Sequence, residues 1–196
     1  PVRYISNNSS GKMGYALAEA AVQEGAIVNL VSGPVVLAAD KSINLFKINS
    51  ASEMLEAVNT CMKSSDIFIS CAAVADYKPS NYSDTKIKKE NLDNLEINLE
   101  KNHDILSEVA EQFSSAYIVG FAAETSNVNS NAKKKLDSKN LNMIISNDVS
   151  DTSIGFDSDE NEVHVITGSE TIFIKKDKKI RIAREILNII SININS

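Results

Sequence analysis

The stretch "DIFISCAAVADY" (66–77) decides the fold class. Ile67–Ser70 is a short apolar run that reads as a central strand, and it empties into a loop of small residues ending at Asp76. Working outward, strand-like and helix-like patterns alternate. Met13, Ala16, Leu17, Ala20 and Ala21 recur at helical spacing, so a helix begins near Lys12 or Met13 and ends at Glu24-Gly25. Ile27, Val28, Leu30 and Val31 then read as a buried strand that Gly33 and Pro34 stop. A strand at 43–49 precedes a helix capped by Ser52, with Met54, Leu55, Val58 and Met62 on one face. Beyond 66–77, helical spacing returns at Ile105, Leu106, Val109 and Phe113, then at 129–139, and strands fall at 116–124 and 142–148. Strands at 162–167 and 171–175 flank a Gly168-Ser169 turn as a hairpin, and a helix over 178–190 closes the chain. This alternation predicts βαβ units and an α/β fold of three layers, doubly wound around a mainly parallel, Rossmann-like sheet. Ligands of such sheets collect at the carboxyl ends of the strands, which puts Gly33, Cys71–Asp76 and the end of 116–124 on one rim.

Residues 78–101 break the pattern. They are polar and lysine-rich and end in the alternation Leu95, Ile97, Leu99, which reads as a half-buried strand. The expectation is one domain over 1–196 with a protruding arm at about 78–101. With 43% hydrophobic and 23% charged residues, the composition is that of a globular chain with a sizeable core. A formal net charge of −6 argues against wholesale nucleic-acid binding, while leaving room for a local basic pocket. No apolar run reaches the length of a membrane span and no leader pattern opens the sequence, so a cytoplasmic location is expected. Cys61 and Cys71 are too few for a disulfide framework or a zinc site and read as buried free thiols.

Several residue groups point to anion chemistry. Ser6–Gly11 precedes the first helix, where Ser9, Ser10 and Gly11 suit either an ordinary cap or a phosphate-binding helix N-terminus. Asp76, at a strand's carboxyl end, suits a hydroxyl, a base edge or a metal-bound phosphate, or else a plain cap. "KIKK" sets Lys86 and Lys88 on one face of an extended segment and Lys89 on the other. "NAKKKLDSKN" sets Lys135 and Lys139 on one helical face. Two basic clusters in an acidic chain fit a polyphosphate held from two sides, or a solvated surface. The spaced glycines of a dinucleotide fingerprint and of a Walker A loop are both missing, as is a nucleophile elbow. His103 and His164 stand isolated, and Asn7 is a turn amide that donates and accepts.

Taken in order, "PVRYISNNSSGKMGYALA", "LVSGP", "CAAVADYKP", "KIKK", "VGFAAET", "ISNDVS" and "GFDSDENEVHVI" resemble the bacterial phosphopantothenoylcysteine synthetase family. That family normally forms the C-terminal half of a bifunctional coenzyme A biosynthesis flavoprotein. The resemblance implies a two-step ligation: 4'-phosphopantothenate is activated by CTP, with Mg²⁺, to an acyl-cytidylate, and L-cysteine then displaces CMP. It implies that Lys86 stabilises the triphosphate and that Asn7 holds the acyl-cytidylate for aminolysis. It puts Arg3 near the substrate and the dimer contact. CTP-binding positions fall on Asp76, Lys86, His103, Asp104, Ile105, Leu106, Phe121, Lys135 and Lys139. It further implies a homodimer whose arms cross to the partner, and a flavin-dependent decarboxylase fused or associated in the full-length protein. An ATP-using relative and a non-catalytic nucleotide-binding module are the competing readings. Two departures stand out. His103 replaces the family's proline in "NHDIL" (102–106), and the family's first strand and glycine turn, which precede "PVRYISN", have no counterpart before Pro1, so a gap in the sheet is expected.

Overall fold

The computed structural model describes residues 7–81, 96–124, 128–148 and 158–195. In chain order the elements are α1 (Lys12–Gln23), β1 (Asn29–Ser32), β2 (Asn44–Lys47), α2 (Ala51–Met62), β3 (Ile67–Ser70), β4 (Tyr77–Pro79) and β5 (Leu99–Lys101). There follow α3 (Ile105–Gln112), β6 (Tyr117–Glu124), α4 (Val128–Ser138), β7 (Met143–Asp148), β8 (Glu160–Thr167), β9 (Thr171–Lys178) and α5 (Lys179–Ile194). A five-stranded sheet runs β3-β6-β7-β8-β9, its first three strands parallel and its last two antiparallel. β1 and β2 form a parallel pair of their own, and β4 and β5 an antiparallel one.

Because the central strands are covered on both sides, alternate residues feed two separate cores. Ile118, Ile144 and Ile166 pack with Met54, Val58, Val109 and Leu136, from α2, α3 and α4. Val119, Met143, Ile145, Val163 and Val165 pack with Leu17, Ala20, Ile182 and Ile186, from α1 and α5. The result is the expected three-layer α/β architecture around a mainly parallel sheet.

Local expectations are corrected in four places. α2 is capped by Ser50 rather than Ser52. The Ser50 hydroxyl, three residues before Glu53, accepts from the Glu53 N–H at 3.2 Å, and a Glu53 carboxylate oxygen accepts from the Asn49 N–H at 3.0 Å, which ties the residue before the cap to the same turn. Ile27 lies outside β1 and is 90% exposed. Ile67–Ser70 is not internal among the described residues. β3 pairs only with β6, no pairing joins it to β1, and Ile67 remains 39% exposed. Ile97 and Leu99 are exposed rather than half-buried, and Leu95 falls outside the described residues.

At Gly120 the sheet touches α3 through bare backbone. An added Cβ would stand 2.9 Å from Leu106 Cδ2 and 3.0 Å from Leu141 Cδ1, so neither leucine has room for a methyl group there. Gly120→Ala is expected to lower stability by about 1–2 kcal/mol in denaturant unfolding, at an unchanged circular dichroism spectrum. An unchanged midpoint would show that the two leucines give way freely.

Candidate functional site

The rim is assembled around the backbone of residues 71–76. This segment runs on beyond the β3–β6 pairing, which ends at Ser70, and two asparagine side chains from distant parts of the chain donate to its carbonyl groups. The Asn7 amide donates a hydrogen bond to the Ala73 carbonyl, and its oxygen accepts from the Ser9 N–H at 2.9 Å. From the other side, the Asn102 backbone N–H donates to the Asp76 carbonyl at 2.8 Å, and its side-chain amide donates to the Ala75 carbonyl at 2.8 Å. The segments 7–11, 71–76 and 102–104 are thereby joined into one surface.

The first of these segments ends in a helix start that lacks a side-chain cap. Gly11 occupies the N-cap of α1 at φ 76° with no side-chain hydrogen bond. Only glycine holds that conformation without strain, and a Cβ here would also come within 3.1 Å of Val35 Cγ1. An open pocket of about 320 Å³ lies between Ser9, Ser10 and Lys12 on one wall and Pro34–Leu37 on the other. A helix start whose N-cap residue brings no side chain, with an ammonium beside it, favours anions by its dipole and charge. Lys12 Nζ stands 2.7 Å from Asp159 Oδ1, and this hydrogen bond and charge hold the Asp159 carboxyl below the ordinary range.

The third segment is a capped helix start. Asp104 accepts from the Ser107 N–H at 3.2 Å, while its other oxygen stands 2.6 Å from Lys139 Nζ, just beyond the end of α4. Partial burial alone would raise the Asp104 pKa; the Lys139 ammonium and the Ser107 N–H outweigh it and hold the carboxyl below 3.8. His103 Nδ1 lies 2.9 Å from Glu108 Oε1.

Of the expected site residues, the structure therefore joins Asn7, Asp76, His103, Asp104 and Lys139 along one rim. Lys135 is exposed one turn before Lys139 on α4. Ile105 is 6% exposed within the first core and Leu106 packs beside it, so both side chains contribute packing. Phe121 is half-buried on the opposite face of the sheet, against the second core with Cys71. Burial pushes the Cys71 thiol up to about 12. Arg3 and Lys86 lie outside the described residues. Asn102 and Asp159 were not expected; an asparagine's taste for backbone partners is the one sequence signal that marks Asn102. Among the described residues no group of three or more His, Cys, Asp or Glu side chains forms a metal site, and no helix is long and apolar enough to cross a membrane.

Comparison with known proteins places these features in context. The family described as "DNA/pantothenate metabolism flavoprotein C-terminal domain" matches residues 1–193. The coenzyme A biosynthesis bifunctional protein CoaBC of Vibrio vulnificus is 48% identical over 165 residues, 83% of this chain and 41% of that protein. This chain thus spans less than half the length of that relative. The crystal structure of the C-terminal domain of a CoaBC protein superimposes with a TM-score of 0.84 at 40% identity, covering 100% of this chain and 88% of that one. A Cab2 mutant solved in complex with phosphopantothenate-cysteine shares the fold, with a TM-score of 0.79 at 16% identity over 99% of this chain and 82% of that one.

The Asp104–Lys139 pair carries a pH signature. A carboxyl held below its unfolded value contributes stability above about pH 4 and loses it as the pH falls through the folded value. Asp104→Asn keeps a capping side chain but removes the charge, so it is expected to cost about 0.5–1 kcal/mol at pH 7. That difference should shrink steadily in unfolding curves as the pH is lowered from 7 toward the folded value; a difference independent of pH would assign the pair no role.

Proposed function

This chain belongs to the DNA/pantothenate metabolism flavoprotein C-terminal domain family, and from that premise we propose that it is a phosphopantothenate–cysteine ligase of coenzyme A biosynthesis that uses CTP. The observation that carries this reading is the joining of three segments on one rim by Asn7 and Asn102: the glycine-led start of α1, a small-residue strand exit and the start of α3, whose capping Asp104 meets Lys139 at the end of α4. A nucleotide and a second phosphate-bearing substrate both need positive ends, a floor with no side chain in the way, and a common edge on which to meet.

In the first step a carboxylate oxygen of 4'-phosphopantothenate attacks the α-phosphorus of CTP. The bond to the bridging oxygen breaks, pyrophosphate leaves with its electron pair, and the acyl-cytidylate forms. In the second, the amine of cysteine attacks the acyl carbon, the acyl–phosphate bond breaks, CMP leaves, and the amine's proton passes to solvent. The Ser9–Lys12 helix start would hold a phosphate group, and Lys139, oriented by Asp104, would face the nucleotide with Lys135. Asn7, clamped between Ala73 and Ser9, would hold the acyl-cytidylate, while Lys86 would counter charge building on the triphosphate. Mg²⁺ would enter as part of the Mg·CTP substrate.

A homodimer completes the proposal. Tyr77, Ile97 and Leu99, 58%, 55% and 51% exposed, give the β4–β5 ribbon an apolar surface suited to a second copy of the chain. The homology to bifunctional proteins supports a decarboxylase half as a fusion partner in the natural protein.

The test is incubation with Mg²⁺, CTP and 4'-phosphopantothenate, with and without cysteine. Pyrophosphate release that requires phosphopantothenate, with CMP appearing on addition of cysteine, is expected; ATP supporting the same release better than CTP would reassign the nucleotide. Lys86→Gln should lower pyrophosphate release by about 100-fold. Asn7→Asp should form the acyl-cytidylate but consume it slowly. Nucleotide binding without release, in a folded protein, would leave a binding module and overturn the ligase reading.

A further inference from the structure

We infer, building on the ligase reading above, that Lys179 is a positioning residue that sets the Asn7–Lys12 anion loop from the opposite end of the chain. It is the first residue of α5 and only 6% exposed, an unusual place for an ammonium. Its backbone N–H donates to the Asp159 carbonyl at 3.0 Å, and its Nζ donates to the Ser158 carbonyl at 2.5 Å. One residue thus grips two successive carbonyls, which fixes the direction in which the chain enters β8. That direction aims Asp159 at Lys12, 2.7 Å away, directly after the glycine that starts α1. Two residues on, the buried Asn161 side-chain amide lies 3.9 Å from Met13 Sδ, so the strand start meets the helix start at a second point.

The exposed partner in this chain of contacts cannot hold the loop alone. Asp159 is 85% exposed at its side chain, and ion pairs so placed contribute little by themselves. The restraint comes from the buried end. An apolar side chain of similar length would fill the same space without the cost of desolvating a charge, so the carbonyls that Lys179 grips account for an ammonium there. The Lys179 charge also adds to that of Lys12 in holding the Asp159 carboxyl in its ionised form.

Lys179→Met in the full chain tests this, with Asp159→Asn as a second, exposed variant that keeps the fold. In Lys179→Met, amide hydrogen exchange over residues 8–13 should quicken by about tenfold while the sheet strands keep their protection. The KM for phosphopantothenate should rise about tenfold with kcat within about twofold, the mark of lost ground-state positioning. Asp159→Asn should show the same split, and the double variant should be no worse than Lys179→Met, because both act on one route. Unchanged exchange over 8–13 overturns the inference, as does faster exchange throughout the molecule or an additive double variant. If Lys179→Met fails to fold, an Asp159→Asn variant with unaltered exchange and KM overturns it alone. Because exchange needs no turnover, wild-type protein that releases no pyrophosphate would overturn the ligase reading and leave the exchange result to decide the role of Lys179.

Discussion

The backbone carbonyls that follow β3 set the terms for the rest of the molecule. A parallel strand that stops at the rim leaves backbone acceptors facing outward, and small side chains at 72–75 do nothing to cover them. Two asparagines answer them, Asn7 at Ala73 and Asn102 at Ala75, and each brings its own segment along. The loop before α1 and the cap of α3 therefore hold their positions by hydrogen bonds to a third segment rather than to each other. Solvent-exposed hydrogen bonds contribute modestly to stability, but they fix direction well, and direction is what the proposed site for two charged substrates requires.

Beneath the rim, the division of labour between the faces explains why the same strands serve two purposes. β6 sends Ile118 and Ala122 to α2, α3 and α4, and Val119 to α1 and α5. Gly120 brings Leu106 and Leu141 close against the backbone between them. α3 is thus seated tightly at the point where its capping Asp104 meets Lys139, so the geometry of the ion pair is inherited from core packing. The lysine is oriented before any ligand arrives, and part of the entropy of ordering it is already spent.

Much of this was legible in the sequence. The periods of 3.6 and 2 located the helices and the inner strands, and uninterrupted apolar strands announced burial on both faces, as at Met143–Ile145. Turn chemistry marked Asn7, and helical spacing marked Lys135 and Lys139. What escaped was set by longer-range geometry. Ser50 and Ser52 look alike until the Glu53 carboxylate picks between them. Ile27 is as apolar as its neighbours, yet the strand starts beyond it. Asn102 acts on residues 26 and 27 positions away, which leaves no local spacing to read. Lys179 sits in a run of cations, Lys175, Lys176, Lys178 and Arg181, where a solvated surface is the natural reading and only packing sets one of them apart.

The contact between Lys12 and Asp159 spans 147 positions, while Asn7 and Ala73 are 66 apart. Contacts so distant along the chain add their closure entropy late in folding and slow it. During synthesis the 7–12 loop leaves the ribosome well before its partner strand β8 and the helix α5 that seats that strand. Until residues 158–179 have emerged, the loop has Ala73 but not Asp159. A nascent chain can bury α1 against an incomplete sheet, but on the proposed role of Lys179 its 7–12 loop gains its final order only when translation has passed the start of α5.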